Sequence, residues 1–262
     1  AGSWPLYDTV PCESPMTVRD LFTHMSGLTY GFLRMTNVDR GYRKAKIGVI
    51  RPGYTLRNMI EDLAALPLEF QPGSAWNYSV ATDVLGYLVE VLSGQSYDEY
   101  LQEHILGPLG MTDTGFNIAP EQVERFASCY QRNLDKSISL EDDARDSAYR
   151  DRTFFSGGGG LVSTARDYLR FARMLLHGGE LDGVRVLSPK TVELMMQNHL
   201  DVPYNPGYGF GLGGQVVTDV AATARPGSEG AFSWSGAANT YFFVDREEEL
   251  IAFAWTQLMP YG

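Results

Sequence analysis

The sequence predicts an α+β protein: an antiparallel sheet flanked by helices, with a helical subdomain. Two observations carry this. Up to about residue 198, apolar residues mostly recur every three or four positions between turn signals, the spacing of amphipathic helices. From Gly207 the period changes, and short β-rich runs follow one another across brief turns, which implies antiparallel neighbours. Helices first and strands last is the α+β arrangement. The division expected is a mainly helical part over 1–155, carrying Tyr78, and part of a sheet subdomain over 156–262, carrying Trp234.

Taken in order, residues 1–16 are Pro-rich and irregular, and Thr17 opens a helix. Asp20 stands in the acidic position of a capping box, Leu21, Phe22 and Met25 give the apolar face, and Gly27 is the expected stop. Residues 28–54 mix aromatics and charges without a period and read as a loop with short helical pieces, one wall of a cleft. Leu56, Met59, Ile60, Leu63 and Leu66 share a face of a helix over 55–66 that Pro67 ends.

The turn Gln71-Pro72-Gly73-Ser74 leads to Trp76-Asn77-Tyr78-Ser79-Val80 and then to a helix reaching Ser93, with Val80, Val84, Leu85, Leu88, Val89, Val91 and Leu92 at helical spacing and Gly94 as the stop. Tyr78 therefore falls at or just before a helix N-terminus. Unpaired N–H groups and the helix dipole favour negative charge there, so a phenol at this place is a candidate general base. The alternative is a tyrosine that packs its ring and hydrogen-bonds its hydroxyl.

Ser96 and Glu99 start another helix to about Ile105. Residues 117–152 are polar, with a strand expected only over Phe126 to Tyr130 and a solvated loop over Glu141 to Asp146. Ser156 to Gly160 is a packing turn, because no Lys follows to complete a phosphate loop. Helices are expected from Thr164 to Gly178 and from Ser188-Pro189 to about Asn198. Strands follow over 231–236, 240–244 and 250–256. His24 is read as bonded within its own loop, Ser26 as a turn cap, and Trp76 and Tyr241 as packing residues.

Composition narrows the function. The chain has 262 residues, 44% hydrophobic and 20% charged, enough for one large domain or two interleaved subdomains. A net charge of −11 argues against nucleic-acid partners. No apolar run approaches the roughly 20 residues of a membrane span, so no membrane association is expected. Cys12 and Cys129 can pair or stay free and are read as free thiols, and none of the four histidines has a second ligand at metal spacing, so neither a metal nor a cofactor is expected. The first residues show no secretory signal, and the compartment stays open between cytoplasm and periplasm.

Five stretches then carry a resemblance: Thr17 to Leu28 (TVRDLFTHMSGL), Phe70 to Val80 (FQPGSAWNYSV), Pro108 to Met111 (PLGM), Gly157 to Asp167 (GGGGLVSTARD) and Trp234-Ser235-Gly236. In this order they resemble the serine β-lactamase and penicillin-binding-protein superfamily, nearest to family VIII carboxylesterases, which share the class C β-lactamase fold. The resemblance implies the β-lactamase/transpeptidase-like fold and a serine nucleophile from an S-x-x-K motif. It implies a tyrosine acting as base, here Tyr78, and a third motif on the strand lining the cleft, here Trp234, Ser235 and Gly236 in its tryptophan form. By position the N–H of Ala237 is an oxyanion donor, Trp234 an apolar wall and Ser235 a substrate contact. Tyr204, Tyr208 and Phe210, aromatic residues near glycines, are expected to line an acyl pocket.

The chain departs from that pattern in two ways. Val80 replaces the Asn of the tyrosine motif, which removes an amide suited to a polar substrate. No S-x-x-K occurs anywhere in the 262 residues. The resemblance places that motif upstream of Thr17, so the chain is expected to be N-terminally incomplete, inactive and poorly stable alone, and to need a missing segment or a second chain. The reading is a serine hydrolase of short-chain carboxylic esters. Its alternatives are a β-lactamase or D-amino-acid peptidase, an acyltransferase of the same fold, and a non-catalytic binding or scaffold homologue. The oligomeric state is left open.

Overall fold

A computed structural model describes residues 7–260. They form two units that are interleaved in sequence. The first comprises the chain up to Tyr100 with Thr153–Gly160 and His199–Tyr204; the second comprises Leu101–Arg152, Leu161–Asn198 and the chain from Asn205. The single boundary expected after residue 155 thus falls inside the returning segment Thr153–Gly160.

The first unit is helical. Its elements are α1 (Val18–Phe22), α2 (Asn37–Ala45), α3 (Leu56–Leu63) and α4 (Ala81–Ser93), and α5 (Tyr97–Leu101) leads the chain out of it. Thr17, Thr36 and Thr55 each close a capping box, with Asp20, Asp39 and Asn58 in the reciprocal position. Three short helices of five, nine and eight residues are below the length at which propensity alone sustains them, so packing must hold them. They pack around Tyr42, Leu56, Met59, Val80, Ala81 and Phe154, all buried.

Helix α1 stops at Phe22, five residues before the expected Gly27. Thr23 is already its C-cap, and His24 takes the left-handed conformation with φ 56°. Helix α4 runs as expected to Ser93 with Gly94 left-handed, but Val91 and Leu92 are exposed rather than on its packed face. The stretch 28–54 contains a full helix, α2, whose strong cap stands among so many charges that no apolar period reveals it.

The second unit carries the sheets. The run 117–152 holds a hairpin of β1 (Cys129–Arg132) and β2 (Ile138–Asp142), so the expected strand lies three residues too early and Glu141-Asp142 belongs to β2, not to a loop. Then come α6 (Ala165–Leu176) capped by Thr164, the short pair β3 (Glu180–Leu181) and β4 (Val184–Arg185), and α7 (Pro189–Met195) capped by Ser188. After them follow β5 (Tyr208–Phe210), β6 (Gln215–Val217), α8 (Val220–Thr223), β7 (Phe232–Gly236), β8 (Thr240–Asp245), β9 (Leu250–Trp255) and β10 (Leu258–Met259). The main sheet has the order β5-β6-β7-β8-β9, antiparallel throughout; β10 joins β1 in parallel on the side away from β2.

Register decides which face is covered. Trp234 pairs with Phe242 and Phe242 with Phe253, so these three rings stand in a row on one face. On that face Tyr168 of α6 meets Phe242, Phe253 and Trp255 at ring separations of 5.3, 5.6 and 5.4 Å. Ser235, Tyr241 and Ala254 form the matching row on the opposite face. The α+β prediction therefore holds, with helices early, sheet late and antiparallel pairing.

Candidate active site

The tyrosine motif lies in the first unit, and its placement is a matter of backbone pairing between loops. His24 C=O accepts from Asn77 N–H at 2.9 Å, Met25 C=O from Gly73 N–H at 2.8 Å, and Thr29 C=O from Val80 N–H at 3.3 Å. The Asn77 amide donates to Leu28 C=O at 2.9 Å. Residues 24–29 and 73–80, the first two stretches of the resemblance, are thereby laced together. Tyr78 follows as the fifth residue after Gly73, just ahead of α4, whose first helical residue is Ala81.

Two side chains, His24 and Tyr30, pack directly against Tyr78. Its ring meets that of His24 at 5.0 Å edge-on and that of Tyr30 at 4.8 Å. The Tyr30 hydroxyl hydrogen-bonds both Tyr78 and Thr82. Burial pushes the Tyr30 phenol well above its ordinary range, and the nearby Tyr78 and Asp83 push it further, so Tyr30 stays protonated and can donate to Tyr78. His24 bonds through Nδ1 to Ser79 Oγ at 3.1 Å, and both residues are buried. Burial holds the His24 imidazole down at about 4, so it is neutral at ordinary pH. His24 thus reaches a residue 55 positions away rather than bonding within its own loop. Ser26, read as a turn cap, instead has a fully buried hydroxyl without a hydrogen-bond partner.

The Gly-rich turn closes over the same place. Asp83, buried on α4, accepts from Ser156 Oγ and from Gly158 N–H, and burial raises its carboxyl while these bonds lower it. A Cβ at Gly157 would sit 2.2 Å from the Thr82 carbonyl oxygen, and one at Gly158 2.8 Å from the Tyr30 hydroxyl. Glycine is required at Gly157 because fixed backbone comes too close for any side chain, whereas at Gly158 the crowding is by side-chain oxygens. The reading of 156–160 as a packing turn is thereby given its partners: Thr82, Asp83 and Tyr30.

The third motif lies in the second unit. Trp234, Ser235 and Gly236 end β7, between β6 and β8. Trp234 is half-buried, with its ring 5.2 Å from Phe210 in an edge-on contact. Gly236 lies opposite Thr240, and a Cβ there would come 2.2 Å from Thr240 Oγ1. Ala237 is exposed at the start of the turn that Asn239, left-handed at φ 57°, closes by donating to Gly236 C=O at 3.0 Å. Ala237 thus directly follows the end of a central strand.

The expected pocket residues separate. Tyr204 is in the first unit, its ring 4.7 Å from Trp76. Tyr208 and Phe210 are on β5 in the second, Tyr208 half-buried and Phe210 buried against Trp234. Sequence reasoning missed Tyr30, Thr82 and Asp83. Asp83 did leave a signal, an acid in an otherwise apolar stretch of α4; Tyr30 left none, since 48 residues separate it from Tyr78. Cys12 and Cys129 are both free.

Fold and motifs together define a protein of the β-lactamase/penicillin-binding-protein class. Residues 3–262 match the family model described as Beta-lactamase, and the chain belongs to that family. It is 40% identical to protein Rv1367c of Mycobacterium tuberculosis over 98% of this chain and 66% of that protein. It is 30% identical to esterase EstB of Burkholderia gladioli, over 89% of this chain and 62% of EstB. Among solved structures it superimposes on EstCE1, described as a hydrolase with promiscuous acyltransferase activity, with a TM-score of 0.80 and 27% identity, over 93% of this chain and 67% of that one. The chain thus spans somewhat less than two thirds of the length of these curated relatives, and esterases and acyltransferases both occur among its homologues.

Proposed function

We propose that the chain is the body of a serine ester hydrolase of the family VIII carboxylesterase type, acting on short-chain carboxylic esters, with the nucleophile supplied by a segment outside these 262 residues. The observation that supports it is the setting of Tyr78: its ring contacts a neutral His24 and a protonated Tyr30 that donates to its hydroxyl. A donated hydrogen bond favours the phenolate, the form a general base needs.

In this reading Tyr78 takes the proton of the serine as its oxygen attacks the ester carbonyl. The carbonyl oxygen becomes an oxyanion held by the Ala237 N–H. The bond to the alcohol oxygen then breaks, and the leaving alcohol receives the proton from Tyr78. Water, deprotonated by Tyr78, attacks the acyl carbonyl; the bond to the serine oxygen breaks, Tyr78 returns the proton to that oxygen, and the acid is released. Trp234 forms an apolar wall and Ser235 a polar contact. An alcohol in place of water gives acyl transfer, the second activity in the description of EstCE1. A β-lactam substrate is disfavoured because Val80, where that chemistry uses an amide, is buried in the core as the N-cap of α4.

The test is intact-protein mass spectrometry with a fluorophosphonate probe, run on this chain and on the longer protein that contains it. One adduct is expected on the longer protein, on a serine outside residues 1–262, and none on this chain. Tyr78→Phe in the longer protein should fold normally and lower kcat on p-nitrophenyl esters by about 10²–10⁴-fold. An adduct on a serine within this chain, or a Tyr78→Phe enzyme of full activity, would overturn the proposal.

A further inference from the structure

The chain is strongly acidic, yet one stretch is not. Between Gly31 and Arg57 it carries seven cationic side chains, Arg34, Arg40, Arg43, Lys44, Lys46, Arg51 and Arg57, against a single acid, Asp39. That is a third of the 21 lysines and arginines of a chain whose net charge is −11. Asp39 is buried and pairs with Arg43, and Arg51 pairs with Asp62. Arg34, Arg40, Lys44 and Lys46 are exposed.

The same stretch exposes large apolar side chains. Phe32 is 63% exposed and Met35 80%, just before α2; Val49 is 48% and Ile50 39% exposed, just after it. Helix α2 itself buries Val38, Asp39, Gly41 and Tyr42 and leaves Arg40 and Lys44, one turn apart, outward. Cations in the middle and apolar groups at both ends give an arrangement with two kinds of attraction. Polyanions such as nucleic acid would use the charges alone and leave the apolar groups in water. An anionic bilayer surface uses both: phosphate headgroups meet the cations while Phe32, Met35, Val49 and Ile50 enter the acyl boundary.

We propose that residues 31–51 are a peripheral docking surface for an anionic lipid bilayer. No helix among the described residues is long and apolar enough to cross a membrane, so the contact is at the surface. The expectation of no membrane association rested on the lack of a span, which a surface contact does not need. The remaining chain is net acidic, so such a surface attracts this stretch in preference to it. Phe32 also stacks on Tyr30 at 4.8 Å, and Tyr30 bonds Tyr78, so one end of the surface adjoins the tyrosine motif. An apolar ester dissolved in the bilayer would then lie near that motif. The docking itself does not depend on the proposed hydrolase activity.

The test is sedimentation of the nucleophile-bearing protein with vesicles of phosphatidylcholine alone and of phosphatidylcholine mixed with phosphatidylglycerol. Binding is expected only to the mixed vesicles, and it should be lost at about 0.5 M salt, where screening is nearly complete beyond a few ångströms. Arg40→Glu/Lys44→Glu/Lys46→Glu should weaken it by at least about tenfold. Phe32→Ser/Met35→Ser should also weaken it by about tenfold, from lost apolar burial. All five positions are exposed, so circular dichroism should show unchanged folding. Equal binding to both vesicle types, no binding to either, or variants that bind like the parent would overturn the proposal. Binding to heparin that survives Phe32→Ser/Met35→Ser, without vesicle binding, would overturn it in favour of an acidic protein partner.

Discussion

The two motif-bearing regions are held in place by different means. Trp234, Ser235 and Gly236 sit on a strand flanked on both sides, and their directions follow from a ladder register that repeats over five strands. Tyr78 sits outside any helix or strand; it is held by single contacts to His24 and Tyr30, while its neighbours are held by Val80 N–H to Thr29 C=O and by the turn 156–160 on Thr82 and Asp83. A register tolerates local change because neighbouring pairs share the restraint. A set of single contacts does not, so the tyrosine region should be the more fragile of the two.

The sharpest way to break that comparison is at the glycine turn. Gly157→Ala drives a methyl into the Thr82 carbonyl, which cannot move without displacing α4, and should cost about 3 kcal/mol or more. Gly159→Ala, with no atom within 4 Å of its Cβ, should cost at most about 1 kcal/mol. Chemical denaturation of the two variants measures the difference; equal losses would mean that the turn is not a fixed contact.

The next effect is pH-dependent. With the His24 imidazole at about 4 in the folded chain and near 6.5 when unfolded, the unfolded chain binds more protons between these values. Stability is then full above about pH 6.5 and falls as pH drops towards 4, by on the order of 3 kcal/mol. His24→Asn keeps a residue suited to φ 56° and removes the titration, so its urea midpoint should vary less over this range. An unchanged slope in the variant would assign the acid sensitivity to other groups.

Smaller is the loss of one hydrogen bond. Tyr30→Phe removes the donor to Tyr78 and, in the nucleophile-bearing protein, should lower kcat/KM by about tenfold, the size of one net hydrogen bond. It should also move the alkaline-forming limb of the pH–rate profile upward, because Tyr78 would lose support for its phenolate. A purely structural Tyr30 would alter Tm and leave that limb in place. Smallest is the sheet side. Gly236→Ala meets only a side-chain hydroxyl, Thr240 Oγ1, and should cost about 1 kcal/mol that Thr240→Ala largely restores. Failure of that rescue in a double-mutant cycle would show that the strand end is as rigid as the tyrosine region.

What could be read in advance follows the same contrast. Strands β7, β8 and β9 and helices α3, α4 and α6 were legible because period, caps and stops lie within a dozen residues of one another. The hairpin of β1 and β2 was half seen, because Glu141 and Asp142 are polar residues in an exposed edge strand and carry no alternation. Tyr78 and Trp234 were legible only through their motifs. Tyr30, Asp83 and the partner of His24 were not, since each acts on residues far along the chain.

The sequence by itself determined the α+β order, helices α3, α4 and α6, strands β7 to β9 and the motifs that mark the family, because each depends on residues near one another in the chain. Only the tertiary structure decided which hydroxyl reaches Tyr78, why Gly157 admits no side chain, that Phe210 is packed against Trp234, and that the cations around α2 face outward beside exposed apolar groups. Those depend on close contacts between segments tens of residues apart, and distances of 2–5 Å between such segments are fixed by packing, which no local pattern of residue types encodes.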